Sequence, residues 1–251
     1  MGFLDEIVAK KRLEVKRITP GLMPDGIKRR SLINTVSKAG TALIAEVKRM
    51  SPSEGVLRDV DAAERARIYE SSGADAVSVL TDRIRFGARN GDLTSVKKSV
   101  NVPVLRKDFI VDKLQLQETL CLGADAVLLI AAILGGEIPA YVEEAHGLGL
   151  ECLVEVHSKD DVRHAMDSEA KLVGINNRDL ATLRVDLETF ERIAPLMPED
   201  RLLVAESGIR NRADVIRMEA AGADAVLVGS SLMKSGDVRA TVSALKGRGT
   251  K

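Results

Sequence analysis

Tryptophan is absent from this 251-residue chain, and aromatic residues make up only 2% of it. Stacking on nucleic-acid bases therefore has almost nothing to work with. Net charge is lacking as well, since 37 Lys and Arg balance 37 Asp and Glu. A neutral chain has no global field to draw in nucleic acid or an anionic membrane, so neither is expected as a partner. Cysteine is scarce: Cys121 and Cys152 stand alone, both in apolar stretches. They make neither a disulfide framework nor a metal site, and both are expected as buried free thiols. The three histidines, His146, His157 and His164, show no ligand-like spacing, so no metal is expected and no histidine is given a role. Long apolar runs are missing too. The longest, 126–134, is too short to span a bilayer. The N-terminus carries early acids rather than the apolar core of a signal peptide, and the protein is expected to be cytoplasmic.

What is present is a repeat. The string GADAV starts at Gly73, Gly123 and Gly222. Each copy ends a helical stretch and opens an apolar run, at 76–80, 126–130 and 225–228. Glycine suits a helix C-cap because it adopts the left-handed conformation without a Cβ clash. The run after it suits a strand buried on both faces. Gly73 to Gly123 spans 50 residues and Gly123 to Gly222 spans 99. Two βα units in the first interval and four in the second give about 25 residues per unit and about eight units, the period of an α/β (β/α)8 TIM barrel. Strands are expected at 42–48, 76–80, 102–107, 126–131, 152–156, 172–176, 202–206 and 225–229. The chain reads as one barrel domain, 1–251, with residues 1–40 as an N-terminal helical extension. That extension is expected to hold a helix at 3–17 with Phe3, Ile7 and Leu13 on one face, turn chemistry at 19–26, and a short helix at 31–39.

Such barrels keep their chemistry at the C-terminal ends of the strands. Strands one, three, five, six and seven end on Glu46 and Lys48, Lys107, Glu155, Asn176 and Glu206. Glu46 and Lys48 are two apart and share a face, which must be the barrel interior. The same parity turns Leu105 with Lys107, Leu153 with Glu155, and Val204 with Glu206 inward. Two lysines and three glutamates at one mouth suit acid–base work, because opposite charges and partial burial move pKa values toward neutrality. Strand seven runs into Ser207 and Gly208, and strand eight into Gly229 and Ser230. Small residues there leave backbone N–H groups free for an anion, where this fold commonly binds phosphate. Ser51, in the turn after strand one, is placed to offer its hydroxyl to the same mouth, although a plain connecting turn reads equally well. Taken singly, these side chains are as readily structural ion pairs or tight-turn residues; their convergence on one rim is what indicates a site.

With these residues in place the chain resembles the indole-3-glycerol phosphate synthase family. The matching strings are IAEVKRMSPS at 44–53, LRKDFI at 105–110, GADAVLLI at 123–130, VEV at 154–156, GINNRDL at 174–180 and AESGI at 205–209. They span nearly the whole chain in family order, and the helical extension fits as well. The resemblance implies a carboxy-lyase of tryptophan biosynthesis. Its small phosphorylated substrate would be 1-(2-carboxyphenylamino)-1-deoxyribulose 5-phosphate, which is ring-closed, decarboxylated and dehydrated to indole-3-glycerol phosphate. No cofactor or metal is implied, and a monomer or weak homo-oligomer is expected. Lys107 would be the general acid that protonates the ketone oxygen, a task for a lysine of lowered pKa. Glu155 would serve the proton transfers of dehydration, and Lys48, held by Glu46, would act near the carboxylate and hydroxyl groups. Asn176, Glu206 and Ser207 would orient hydroxyls and lysines. Ser207, Gly208, Gly229 and Ser230 would cradle phosphate, Ser51 and Arg178 would add polar contacts, and Phe86 and Phe109 would flank the anthranilate ring. Two places depart from the family: Glu54 stands where SPSKG is usual, and 86–91 reads FGARNG in place of a Phe-x-Gly-Ser form. A phosphoribosylanthranilate isomerase would carry a cysteine on strand one and an aspartate on strand six, where this chain has Glu46, Lys48 and Asn176. A barrel kept only for binding would have lost one of the lysines or glutamates, and all are present.

Overall fold

Eight parallel strands close on themselves in the computed structural model, which describes residues 3–19, 21, 26–38 and 40–248. They are β1 (Ala42–Val47), β2 (Ala76–Leu80), β3 (Val104–Lys107), β4 (Ala126–Ile130), β5 (Glu151–Val156), β6 (Leu172–Asn176), β7 (Leu202–Glu206) and β8 (Ala225–Val228). Each pairs with the next, and β8 returns to β1 with Ala225 opposite Ala42. Helices separate the strands, so this is the (β/α)8 barrel expected from the repeat. Strand β3 begins two residues later than expected because Pro103 has no N–H to give to a ladder. The turn after β1 is more than a connection: Met50–Ser51 pairs antiparallel with Gly55–Val56 as a small ribbon.

Side chains alternate between two apolar layers. Ile44, Leu105, Leu128, Leu153, Val204 and Leu227 fill the barrel interior. Leu43, Val47, Val127, Val154 and Val226 face the surrounding helices. The inward parity expected for Leu105, Leu153 and Val204 is thus observed, with Val47 outward. The N-terminal end of the barrel is lined by Ala42, Ala76, Ala126 and Ala225, and three of these are the second alanine of a GADAV copy. They share one buried cluster with Leu32 and Val36 of the helix Leu32–Val36, which closes that end. The helix is tied down by Glu151 at the start of β5, which accepts from the backbone N–H of Leu32 at 2.6 Å and of Ile33 at 2.9 Å.

The aspartate of each GADAV copy explains the repeat physically. Asp75 accepts the backbone N–H of Leu43 at 2.7 Å, Asp125 that of Val104 at 2.8 Å, and Asp224 that of Leu203 at 2.7 Å. In return each aspartate's own N–H donates to the carbonyl of the same residue, at 2.9 Å in all three cases. Each aspartate therefore staples its strand to the preceding one and satisfies an N–H that the ladder leaves open. The glycine two residues earlier takes positive φ in every copy, which permits the tight passage from helix to staple. Asp125 also pairs at 2.6 Å with Lys97, both side chains being buried.

The other half of the extension lies at the opposite end. The helix Phe3–Val15 buries Ile7, Lys11 and Val15, spaced four apart on one face. Lys11 is only 4% exposed and reaches Asp82 at 3.1 Å and Asp108 at 2.8 Å, just past the C-terminal ends of β2 and β3. Leu13 does not share this face as expected; it is 61% exposed, because it sits two positions from Lys11 and points the other way. The side chain of Phe3, and residues 20 and 22–25 of the expected turn, lie outside the described residues. The second helix is shorter than expected, five residues rather than 31–39. Cys152 is a buried free thiol, its pKa pushed up to about 12 by burial. Cys121 is free but only half-buried, against expectation, because the end of its helix faces the extension near Gly21 rather than the core. Among the described residues no helix is long and apolar enough to cross a membrane.

The staples should differ in weight. Asp125→Ala leaves the Lys97 ammonium buried without its counter-charge and is expected to cost about 3–5 kcal/mol. Asp224→Ala removes only an acceptor for a strand N–H and is expected to cost about 1–3 kcal/mol. Urea unfolding of the two variants checks this; equal midpoint shifts would remove the buried pair as the source of the difference.

Candidate active site

One cavity opens at the C-terminal ends of the strands. Glu46, Lys48, Ser51, Phe86, Lys107, Phe109, Glu155, Asn176, Arg178, Glu206, Ser207, Gly208, Gly229 and Ser230 all line it. Every residue singled out from the sequence is therefore brought to one place. Parity and barrel closure account for the strand residues, and the short turns after β7 and β8 for the rest.

At its floor, charges meet in an otherwise apolar barrel. The Lys107 ammonium lies 2.9 Å from Glu155 Oε2 and 3.0 Å from Glu206 Oε2. Beside them Lys48 Nζ lies 2.7 Å from Glu46 Oε1. The lowered pKa expected for Lys107 is not found. Burial does disfavour its charge, but the carboxylates of Glu155, Glu206 and Glu46 outweigh burial and hold it well above the ordinary lysine range. Two carboxylates sharing one ammonium cannot fare equally. For Glu155, burial favours the protonated form but Lys107 and His157 prevail, and the group is held well below the ordinary carboxylate range. For Glu206, burial prevails over Lys107, Glu155 adds its repulsion, and the pKa rises to about 7. Glu206 also lacks a well-aligned hydrogen bond to either oxygen, although Lys107 is within ion-pair distance. It is this carboxyl that comes to neutrality.

Two glycines make room for these carboxylates. A Cβ at Gly174 in β6 would run into the Glu206 carboxylate. A Cβ at Gly229 would run into the Glu46 carboxylate and approach Lys48 Nζ to 2.9 Å. Gly229 thus has a second reason to be glycine beyond the turn read from sequence.

The turn after β7 has its own geometry. Ser207 holds a left-handed φ of 62°, uncommon for a residue with a side chain, and its carbonyl accepts from Asn177 Nδ2 at 3.2 Å. Ser230 Oγ donates to Glu54 Oε2 at 2.5 Å, and Lys234 Nζ lies 2.6 Å from Glu54 Oε1. The family departure at Glu54 therefore has a structural place: the first loop lays a carboxylate across the turn after β8. Burial disfavours that charge, but Lys234 and Ser230 hold its pKa below the ordinary range. Arg178 donates through Nη1 to Ser53 Oγ at 3.0 Å and to the Leu183 carbonyl at 2.8 Å, while its backbone N–H donates to Asn176 Oδ1 at 3.0 Å. The Phe86 and Phe109 rings lie 6.2 Å apart at 37°. Among the described residues no group of three or more His, Cys, Asp or Glu side chains is placed to hold a metal ion.

Sequence reasoning missed His157, whose Nε2 lies 3.2 Å from Glu155 Oε1. Its signal was available, since it follows Glu155 by two positions and shares its parity. Gly174 was quoted only as part of a motif, and its contact with Glu206 had no signal in one strand's sequence.

A closed barrel whose mouth gathers buried lysines and glutamates defines an acid–base enzyme of the (β/α)8 class. The family model for indole-3-glycerol phosphate synthase matches residues 4–245. A protein of that name from Geobacillus kaustophilus is 46% identical over 250 residues, covering 97% of this chain and 96% of its own. Another from Caldanaerobacter subterraneus is 41% identical over 250 residues, covering 99% and 97%. The chain belongs to the indole-3-glycerol phosphate synthase family, carboxy-lyases of tryptophan biosynthesis. A solved thiamine phosphate pyrophosphorylase from Pyrococcus furiosus, 19% identical, superposes with a TM-score of 0.62 over 86% of this chain and 96% of its own, and shares the fold.

Gly174→Ala tests the space-making role. The added methyl is expected to displace Glu206 and lower turnover by about tenfold or more while circular dichroism stays native. Unchanged turnover would mean that Glu206 shifts without consequence.

Proposed function

We propose that the Lys107 cluster carries out ring closure, decarboxylation and dehydration of 1-(2-carboxyphenylamino)-1-deoxyribulose 5-phosphate. The observation that carries this reading is a largely buried ammonium kept charged by two carboxylates and facing the cavity. A charged Lys107 can give its proton to the ketone oxygen as the anthranilate ring carbon attacks the carbonyl carbon. That step makes the new carbon–carbon bond and turns the ketone into a hydroxyl. Loss of carbon dioxide from the ring then restores aromaticity at that carbon. Departure of the hydroxyl as water needs an acid, the role of Glu155, and a base for the proton lost from the neighbouring methylene carbon, which the neutral Lys107 amine supplies as it regains its charge.

Lys48, oriented by Glu46, binds the substrate carboxylate and hydroxyl region, and Asn176, Glu206 and Ser207 orient hydroxyls and lysines. The phosphate binds in the turns of Ser207, Gly208, Gly229 and Ser230, displacing Glu54 from Ser230. Ser51 and Arg178 supply polar contacts, and Phe86 and Phe109 flank the anthranilate ring. In this reading the protein works in the cytoplasm as a monomer or weak homo-oligomer, one barrel domain with residues 1–40 as its extension.

Incubation with the carboxyphenylamino substrate, followed by indole fluorescence, tests the reading; no product above blank would sink it. Lys107→Ala is expected to lower turnover at least about a hundredfold, as loss of a general acid does, and near-normal turnover would remove that role. Glu206 gives a pH signature. Its pKa is raised in the fold, so its contribution to stability is present below the ordinary carboxylate range and lost as pH rises through about 7. Activity runs the opposite way, because the ionised carboxylate is the form that holds Lys107. kcat/KM is therefore expected to rise with pH through about 7 and to lose that limb in Glu206→Gln. An unchanged limb in the variant would assign the titration to another group.

A further inference from the structure

The reaction takes up a proton that the substrate does not carry. A carboxylate leaves as neutral carbon dioxide and an oxygen leaves as water, so one proton is taken from solvent in every turnover. A second opening beside the cluster would deliver that proton without passing the substrate. Glu155, the acid of the dehydration step, is buried, and its Oε2 faces Lys107. Its other oxygen, Oε1, faces His157 Nε2 at 3.2 Å. His157 in turn lines a second cleft, outside the substrate cavity, together with Asn176, Asn177, Asp179, Thr182 and Arg184.

We infer that His157 is the residue through which the proton consumed in each turnover passes from this second cleft to Glu155. The inference rests on the role given to Glu155 above. His157 touches no substrate atom in this scheme and acts through Glu155 as a positioning and relay residue.

The surroundings of the ring fit that task. The His157 side chain is 13% exposed through its carbon atoms, while both ring nitrogens are shielded from solvent and neither has a well-aligned hydrogen bond. Nε2 is close to Glu155 but off line, so a small rotation of the ring makes or breaks the contact. The backbone is fixed independently, since its N–H donates to Asp161 Oδ2 at 2.9 Å. Charges face the ring from every side. Glu155 is on its own strand, Lys107 and Glu206 come from β3 and β7, and Asp161 and Lys159 from the following helix. Across the cleft lie Asp179, Arg184 and Asp186 after β6, and Arg192 on the helix Glu188–Ile193. Burial disfavours a charged ring, but Glu155, Asp161 and Glu206 outweigh it and hold the imidazolium above its ordinary range.

The step balances and has a natural trigger. At rest the proton sits on His157, because Lys107 and His157 together keep Glu155 ionised. When Lys107 gives its proton to the ketone oxygen, Glu155 loses its chief counter-charge and its proton affinity rises. The Nε2 proton of His157 then moves to Glu155 Oε1, and Glu155 passes it to the departing hydroxyl, which leaves as water, while the proton lost from the neighbouring methylene carbon recharges the neutral Lys107 amine. The neutral imidazole then rotates Nε2 away from Glu155 toward the cleft, where it regains its proton from water.

His157→Asn, with His157→Gln as a second variant should the first fold poorly, tests the relay in the full-length protein. The expected result is a kcat lower by about tenfold or more with KM little changed. The kcat–pH profile should lose the imidazole's inflection, and added imidazole should restore part of the turnover of His157→Ala. A kcat and pH profile superimposable on those of the parent protein would overturn the inference. So would a lower kcat with an unchanged profile and no imidazole rescue, which is the mark of a merely structural residue. Glu155→Gln separates the two layers. Near-normal turnover there removes the role of Glu155 and the relay with it. Loss of turnover there, with normal His157 variants, removes the relay alone.

Discussion

A strand in a closed parallel barrel cannot slip by one residue without turning its entire inward set toward the helices. Closure also removes every edge at which a misregistered strand could be tolerated. In this molecule that constraint decides which charges meet. Leu105 inside requires Lys107 inside, Leu153 requires Glu155, and Val204 requires Glu206. The aspartates at the N-terminal rim hold the register by accepting an N–H from the first or second residue of β1, β3 and β7. Two of those strands, β1 and β3, carry the lysines, and β7 carries Glu206. A staple at one end of a strand thereby sets the position of a charge at the other.

The cluster so assembled is energetically costly by design of its surroundings. Buried ions lose hydration, and their mutual attraction repays the loss only where geometry is good. Lys107 has two partners and remains charged, Glu155 has two cations and remains ionised, and Glu206 is left with a share of one cation. The imbalance is what brings a single carboxyl to about 7. An acid–base site needs one group that gains or loses a proton easily next to others that do not.

Much of this was legible from the order of residues, and the reasons are specific. The apolar runs after each GADAV copy could only be buried strands, and side-chain parity then turned Glu46, Lys48, Lys107, Glu155 and Glu206 to one mouth. What stayed hidden depended on partners distant in sequence. The direction of the Lys107 shift required knowing that two carboxylates, not one, lie within 3.0 Å. Gly174 looked like any strand residue until Glu206 from the next strand was placed against it. Leu13 was misread because a helix that buries Lys11 breaks the rule that apolar residues mark the inner face. Glu54 was visible as a departure from the family, but not as a group lying on Ser230 and Lys234 across the mouth.

The extension ties these points together, because it touches both ends of the barrel. At one end Leu32 and Val36 fill the space that the small GADAV alanines leave. At the other, Lys11 meets Asp108, the residue directly after Lys107. Asp108 also accepts from Thr81 at 2.5 Å and from Arg106 at 3.1 Å, so the exit of β3 is held from three directions. Burial opposes the charge of Asp108, but Arg106 and Lys11 outweigh it and keep its pKa low. Lys11 is thus a buried cation whose counter-charges sit on two barrel loops, and the extension cannot leave without stranding them. A lysine on the first helix is in this way part of what holds Lys107 in position, through one aspartate and one peptide bond.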